Sequence, residues 1–292
     1  MRNITAGLGA LLMLAATAVF GQARVGIIGA LEWDTMEINA AVSLDMASAH
    51  IRLPGGRSQG EALITAEYPG LILPGLLKLQ VDSSSTVADL VRRGEWSLQE
   101  TERVALRARS VPPSLSPDLH NLRASYTIGL EWISARLIRH NLAAEPPRIL
   151  SPIAAPVYTG IIIIANEALP VWGMKSTALP TPCLFPKVWD SEMNLIYERN
   201  MLDPGKSFMV RYAPVQSIFQ ENPSGLSAEV IAITGDRPLR IFARGIFGTQ
   251  PTDPIIDRVD ALQILSSEEN RRLLREGRVV IVIDDSMLHG EL

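Results

Sequence analysis

Tyr158-Thr159-Gly160-Ile161-Ile162-Ile163-Ile164-Ala165 is the stretch on which the fold turns. Four consecutive β-branched residues form a strand that must be covered on both faces, since a half-exposed strand would alternate apolar with polar. Immediately upstream, Ala143 to Pro156 carries four prolines in fourteen residues, which neither a helix nor a central strand tolerates. The two stretches together divide the chain into an N-terminal domain over residues 24–142, a proline-rich linker over 143–156 and a C-terminal domain over 157–292.

Outward from that strand, the C-terminal half predicts further strands at Leu184–Val188, Leu195–Tyr197, Phe208–Tyr212, Leu239–Gly245 and Arg278–Ile283. Helices are expected over Asp257–Leu265 and Ser267–Arg275. In the second, Ser267 is the cap, Glu268 and Glu269 complement the helix N-terminus, and Arg271, Arg272 and Arg275 lie towards its C-terminus. Gly235-Asp236-Arg237-Pro238 reads as a hairpin or loop turn. This half is a mixed, strand-dominated sheet with one or two packed helices.

In the N-terminal half, Met36 to Met46 partly alternates through Ile38, Ala40, Val42 and Leu44, the pattern of a half-buried strand. Ser58 and Glu61 have capping-box spacing, and Leu63, Ile64, Leu71, Ile72, Leu76 and Leu77 fit a buried helical face that Pro69 and Pro74 kink or split. Ser85 or Thr86 caps a short helix ended by Gly94, and Ser97 with Glu100 starts another that runs to about Arg109 before Pro112-Pro113. Ala124 to Arg139 is read as one long strand pairing with Met36 to Met46, although its second part also fits a helix. The expected class is α+β, with an N-terminal strand-helix-helix-strand unit.

The first residues carry an address. Arg2 precedes an apolar run from Leu8 to Phe20, and Gly21-Gln22-Ala23 offers the small residues of a signal-peptidase site. Residues 1–23 are therefore expected to be a signal peptide cleaved near Ala23, leaving a soluble periplasmic chain that begins at Arg24. No cysteine at that point supplies a lipid anchor. After it, no apolar run reaches the roughly 20 residues that span a bilayer. With 27 basic against 31 acidic residues the chain is mildly acidic, which argues against a nucleic-acid partner.

No catalytic signature emerges. Cys183, the single cysteine, sits among apolar residues and reads as an inert core thiol. Neither Gly-x-Ser-x-Gly nor Ser-x-x-Lys occurs. His50, His120, His140 and His289 are too scattered to ligate a metal, and Asp253 to Arg258 lacks the pattern of a calcium loop. Gly7-Leu8-Gly9, inside the leader, is no phosphate loop. The acids Glu32, Asp34, Glu37, Asp284 and Asp285 read as solvated strand ends, aromatic platforms for a sugar being scarce. No metal or cofactor is therefore expected. Trp172, Trp189, Tyr197 and Phe185 read as core, with Trp172 and Trp189, alongside Asp236 and Arg237, the candidates for meeting a partner. Two alternatives stay open. One is a hydrolytic site assembled from Asp34, Glu37, Asp190 and Arg237, and the other is a small-ligand pocket in the second domain.

A resemblance spans nearly the whole chain after the leader. The segments Tyr158 to Ile163, Leu184-Phe185-Pro186-Lys187-Val188-Trp189-Asp190 through Ile196-Tyr197, Gly235 to Leu239 and Arg275 to Val282 resemble exported bacterial envelope proteins related to the lipoprotein-twenty group. Trp33-Asp34 and a long helix over Arg57 to Leu77 look like the remainder of that pattern. Ala165-Asn166-Glu167 stands where the family carries an Asp-Ala-Arg element. The resemblance implies a non-enzymatic envelope protein acting through protein contacts, with flagellar or outer-membrane components as partners and self-association into a homo-oligomer open to it.

Overall fold

The computed structural model describes residues 25–52, 55–139 and 144–292. The expected signal peptide and the first linker residue, Ala143, lie outside them. In chain order the N-terminal domain comprises β1 (Val25–Glu32), β2 (Glu37–Asp45), α1 (Arg57–Lys78), β3 (Gln80–Asp82), β4 (Ser85–Thr86), α2 (Val87–Arg92), α3 (Leu98–Ala105), β5 (Arg109–Leu115), β6 (Asn121–Gly129) and α4 (Glu131–Leu137). The C-terminal domain comprises β7 (Ile161–Ile164), β8 (Leu169–Pro170), β9 (Thr177–Ala178), β10 (Val188–Asp190), β11 (Leu195–Tyr197), β12 (Arg211–Pro214), α5 (Ala228–Thr234), β13 (Leu239–Phe247), β14 (Asp253–Ile256), α6 (Arg258–Leu265), α7 (Glu268–Arg275), β15 (Val279–Ile283), α8 (Asp285–Leu288) and β16 (His289–Glu291). The class is α+β, in two domains.

The first sheet has the order β16-β1-β2-β6-β5 and is antiparallel throughout. Its inward rows, such as Val25–Leu44–Leu122 and Leu31–Ile38–Ile128, bury large apolar side chains. Helix α1 covers that side. Its buried residues Gly60, Ile64, Tyr68, Ile72 and Leu76 recur every fourth position, a single face that persists through Pro69 and Pro74. Of the two expected outcomes at these prolines, kink or split, the split does not occur, because packing along the whole stripe outweighs two missing backbone hydrogen bonds. Its N-cap is Gly56 rather than Ser58, and Glu61 pairs instead with Arg57 at 2.9 Å.

Two other expectations change. The strand read over Ala124–Arg139 ends at Gly129, and Glu131–Leu137 is helix α4, which buries Ile133, Ser134 and Leu137 at helical spacing. Pro112-Pro113 lies inside β5, at the sheet edge and across a register shift between Val111 and Ser114, where a missing N–H costs no ladder bond. Unlike Ser58 with Glu61, the next two helix starts are capped, the first by Thr86 rather than Ser85. Thr86 exchanges hydrogen bonds with Asp89, and Ser97 with Glu100.

The second sheet runs β11-β10-β14-β13-β7-β15-β12. Strand β7 lies in its interior, parallel to both β13 and β15, and every residue of it is buried. Alternate side chains serve two cores. Ile161 and Ile163, with Val279, Ile281 and Ile241, join Leu265, Leu273 and Leu274 of α6 and α7, whereas Ile162, Ile164, Val280 and Val282 pack under Val230 of α5. This division explains the unbroken β-branched run. Strand β14 and helix α5 were not anticipated, and the Gly235–Pro238 turn joins α5 to β13 rather than closing a hairpin. Leu184 and Phe185, read as strand, donate their N–H groups to Gln80 and Val81 of β3, and β10 starts only at Val188.

The domains interlock. Strand β16, the last element, leaves the second domain and pairs with β1 through Ala30–Glu291, Leu31–Gly290 and Glu32–His289. A Cβ at Gly29 or Gly75 would lie 2.8 or 2.9 Å from Leu292, so both glycines make room for that side chain between β1 and α1. Trp33, fully packed, meets Tyr212 of β12 edge to face at 5.8 Å. A single core cluster accordingly runs through both domains.

At Gly160, just before β7, a Cβ would fall 2.4 Å from Thr234 Cα and 2.5 Å from its carbonyl oxygen. Gly160→Ala is expected to cost about 1–3 kcal/mol, because backbone has to move. Gly70, exposed inside α1 with nothing within 4 Å of its Cβ position, is the counterpart: Gly70→Ala should add about 0.5–1 kcal/mol. Thermal denaturation of both variants checks the pair, and a Tm for Gly160→Ala equal to that of the wild type would refute the close approach.

Candidate functional site

A cleft of about 700 Å³ opens between the two domains. Thr35 and Glu37, at the turn joining β1 to β2, and Glu131, which opens α4, form one wall. The other wall comes from the loop Gly205–Phe208, Arg211 at the head of β12, Ala232 and Ile233 near the end of α5, and Glu276-Gly277-Arg278 between α7 and β15.

Local structure fixes each wall. Glu37 is the register partner of Gly129 across β2 and β6, and a Cβ at Gly129 would collide with the carboxylate of Glu131. The glycine thus lets the Glu131 carboxylate fold back over the end of β6, beside Glu37. Opposite, Gly277 has φ +66°, and a Cβ there would sit 2.5 Å from the carbonyl oxygen of Phe208. Only a glycine combines that backbone with that approach. The loop is tied to α7 by the Asp203 N–H, which donates to the Arg275 carbonyl at 2.8 Å. Arg278 donates from Nε to the Ile233 carbonyl at 3.2 Å.

The cleft is therefore dipolar. Glu37 and Glu131 line the N-terminal wall, and Lys206, Arg211 and Arg278 line the C-terminal one. Glu37 is held by Arg109, and Glu276 by Arg272 at 3.3 Å with Arg278 at 4.0 Å. Among the described residues Glu131, Lys206 and Arg211 make no ion pair. The Arg211 guanidinium lies 4.0 Å from the centroid of the Phe208 ring. Burial pulls its pKa below the ordinary arginine value, and the Glu131 charge partly offsets that shift. It stays a cation at any physiological pH.

The residues singled out from sequence separate. Asp236 and Arg237 are exposed at the start of β13, where Arg237 N–H donates to Thr159 Oγ1 at 3.0 Å. A Cβ on neighbouring Gly235 would lie 3.2 Å from the Arg278 guanidinium, so this turn borders the cleft. Trp172 and Trp189 gather at the other end of the strand: Trp172 N–H donates to Ile246 O, and Trp189 meets Phe247 edge to face at 5.8 Å. Trp172 is half exposed, whereas Phe185 and Tyr197 are core. Of the proposed hydrolytic set, Glu37 lines the large cleft and Asp34 a smaller one beside it. Asp190 is buried elsewhere, saturated by Arg258, Asn194 and the Glu192 amide. The set forms no shared site. No group of three histidine, cysteine or acidic residues suited to a metal exists among the described residues. Arg211, Lys206 and Glu131 escaped sequence reading because they come from separate segments without a common spacing.

Cys183 is fully buried, and burial pushes its thiol well up, so it is no nucleophile. Its backbone N–H donates to Tyr212 Oη at 3.0 Å. Nearby Asp253, also buried, accepts from the Lys187 amide at 3.1 Å and from Thr252 Oγ1 at 2.8 Å, yet desolvation raises its pKa above the ordinary 3.8. A carboxyl whose pKa rises on folding contributes stability in its protonated form, and that contribution is lost as pH climbs from the unfolded to the folded value. Asp253→Asn removes this loss. Its Tm relative to the wild type should therefore rise as pH climbs above 3.8, and parallel Tm–pH curves would contradict the assignment.

A search of curated proteins finds no match. Residues 24–136 match the family model described as Treponema pallidum Tp0624, N-terminal domain, and residues 160–285 match the model described as Treponema pallidum Tp0624, second domain. In chain order, the two halves are thus similar to the N-terminal and second domains of one protein, Treponema pallidum Tp0624.

Proposed function

We propose that this protein is an exported, non-enzymatic component of a bacterial envelope that works through contacts with other proteins. The observation that carries the reading is the outer face of the first sheet. Strand register aligns Ile28, Ala41, Ser125 and Val111 in one outward row, with Ala30, Asn39 and Thr127 beside it. Ile28 is 82% exposed and Val111 62%. A solvated face of an antiparallel sheet ordinarily carries polar side chains, so exposed Ile28 and Val111 stand out. Here the charged residues Glu32, Glu37, Asp45, Arg109, Arg123 and Glu291 stand at the margins, and the centre is small and neutral, with Ile28, Ala41 and Val111 beside Ser125, Asn39 and Thr127.

Among the described residues strand β1 also keeps a free edge. Strand β16 covers it only from Ala30 to Glu32, which leaves Val25–Ile28 open on that side for a partner strand. A neutral face with exposed Ile28 and Val111, hollowed by about 430 Å³ over Ile28, Ala41 and Thr127 and lying beside an unpaired edge, suits a protein surface. The periplasmic address comes from the leader-like residues 1–23, and the flagellar or outer-membrane setting from the resemblance to the lipoprotein-twenty group.

Crosslinking in cells of a C-terminally tagged chain, with mass spectrometry of the envelope fractions, tests the reading. Flagellar or outer-membrane proteins should be recovered, and the mature N-terminus should be Arg24. Ile28→Lys, at an exposed position where substitutions shift stability by less than about 0.5 kcal/mol, should abolish the crosslinks without changing Tm. Recovery of the chain alone, or crosslinks indifferent to Ile28→Lys, would overturn the contact face.

A further inference from the structure

We infer that the cleft between the domains binds a small dipolar ligand of the peptide class, its carboxylate on Arg211 and Lys206 and its ammonium group on Glu131 and Glu37. The two walls carry opposite charges, and no ion pair within 4.0 Å spans the cleft among the described residues. Each wall satisfies some of its charges internally, Glu37 through Arg109 and Glu276 through Arg272. Glu131 on one side and Arg211 with Lys206 on the other are left over.

Those three unpaired groups select the ligand. An anion without a positive end would meet Arg211 but place like charge against Glu131 and Glu37. A cation without a carboxylate would meet the reverse arrangement at Arg211. Like charges in a partly desolvated site are costly, so a molecule carrying both signs fits best. Arg211 is prepared for a carboxylate, because its planar guanidinium presents a two-pronged donor edge and the Phe208 ring at 4.0 Å restrains its plane. Ala232 and Ile233 offer the apolar surface that a small side chain needs. At about 700 Å³ the space falls within the usual range of small-molecule sites, roughly 300–1,000 Å³, and admits a few linked residues. The glycines at 129 and 277 keep the two walls in place, since a side chain at either would displace Glu131 or the Phe208 loop.

Trialanine is the probe, with N-acetyl-trialanine and trialanine amide as its singly charged controls. Titration calorimetry at low ionic strength, on the full chain after the leader, should give saturable binding of trialanine that weakens with added salt. Each blocked peptide should bind about tenfold or more weakly, the scale of one lost charge-assisted hydrogen bond. Arg211→Gln should abolish the preference for trialanine over its amide, and Glu131→Gln the preference for trialanine over its N-acetyl form. The comparison of the three peptides on the wild-type chain stands even where a variant folds poorly. Absence of trialanine binding at tens of millimolar, equal binding of all three peptides, or binding of the N-acetyl form as tight as that of trialanine would each overturn the inference, the last by making the cleft a plain anion site.

Discussion

The interlock between the first and last strands governs the rest of the molecule. Strand β16 reaches the first sheet only after the whole second domain has been laid down, and its pairing with β1 ties residues 30–32 to residues 289–291. Leu292 then fills the gap left by Gly29 and Gly75, and Trp33 closes on Tyr212. The Leu184 and Phe185 amides on β3 make a second tie. With backbone pairing at two separate places and one shared core, relative rotation of the domains would break several buried contacts together. A cleft whose walls come from different domains keeps a defined width only under such a constraint.

The same constraint explains which parts of the chain are legible in its sequence. Local hydrogen bonding is readable: Thr86 with Asp89, Ser97 with Glu100, and Ser267 at the head of α7 need only residues within one turn of a helix. Strands β7 and β15 are readable because burial on two faces leaves an unbroken β-branched run. Strand β1 is not, because Gly29 is set by Leu292, more than 250 residues away. Strand β14 hides behind Asp253-Pro254, a pair that suggests a loop, until the buried acceptors of Asp253 and the pairing of Pro254 with Ile246 are seen. Helix α4 continued an apparent period of two from β6, and only the burial of Ser134 with Ile133 and Leu137 separates them.

The candidate site was less legible than the fold for a related reason. Fold signals are periodic and therefore repeat within a short window, whereas the cleft takes single charges from five separated segments. Asp236 and Arg237 were singled out and do lie beside it, but the ionic groups that define it are Glu131, Lys206 and Arg211. Trp172 and Trp189 share a strand end rather than a site with them. One candidate set therefore resolves into opposite ends of β13, whose nine residues span roughly 26 Å at about 3.3 Å each.

The two surfaces on which the proposed roles rest differ in physical character. The outer face of the first sheet is broad and neutral, and it would gain by excluding water over area against another macromolecule. The cleft is concave and charged on both sides, and burial already strips part of the water from Arg211. A ligand gains there only by matching both charges at once, so selectivity comes from geometry more than from buried apolar area. Because Glu37 begins β2, the strand that also carries Asn39 and Ala41 on the outer face, cleft and contact surface share one rigid element. A ligand in the cleft and a partner on the sheet would both contact this strand.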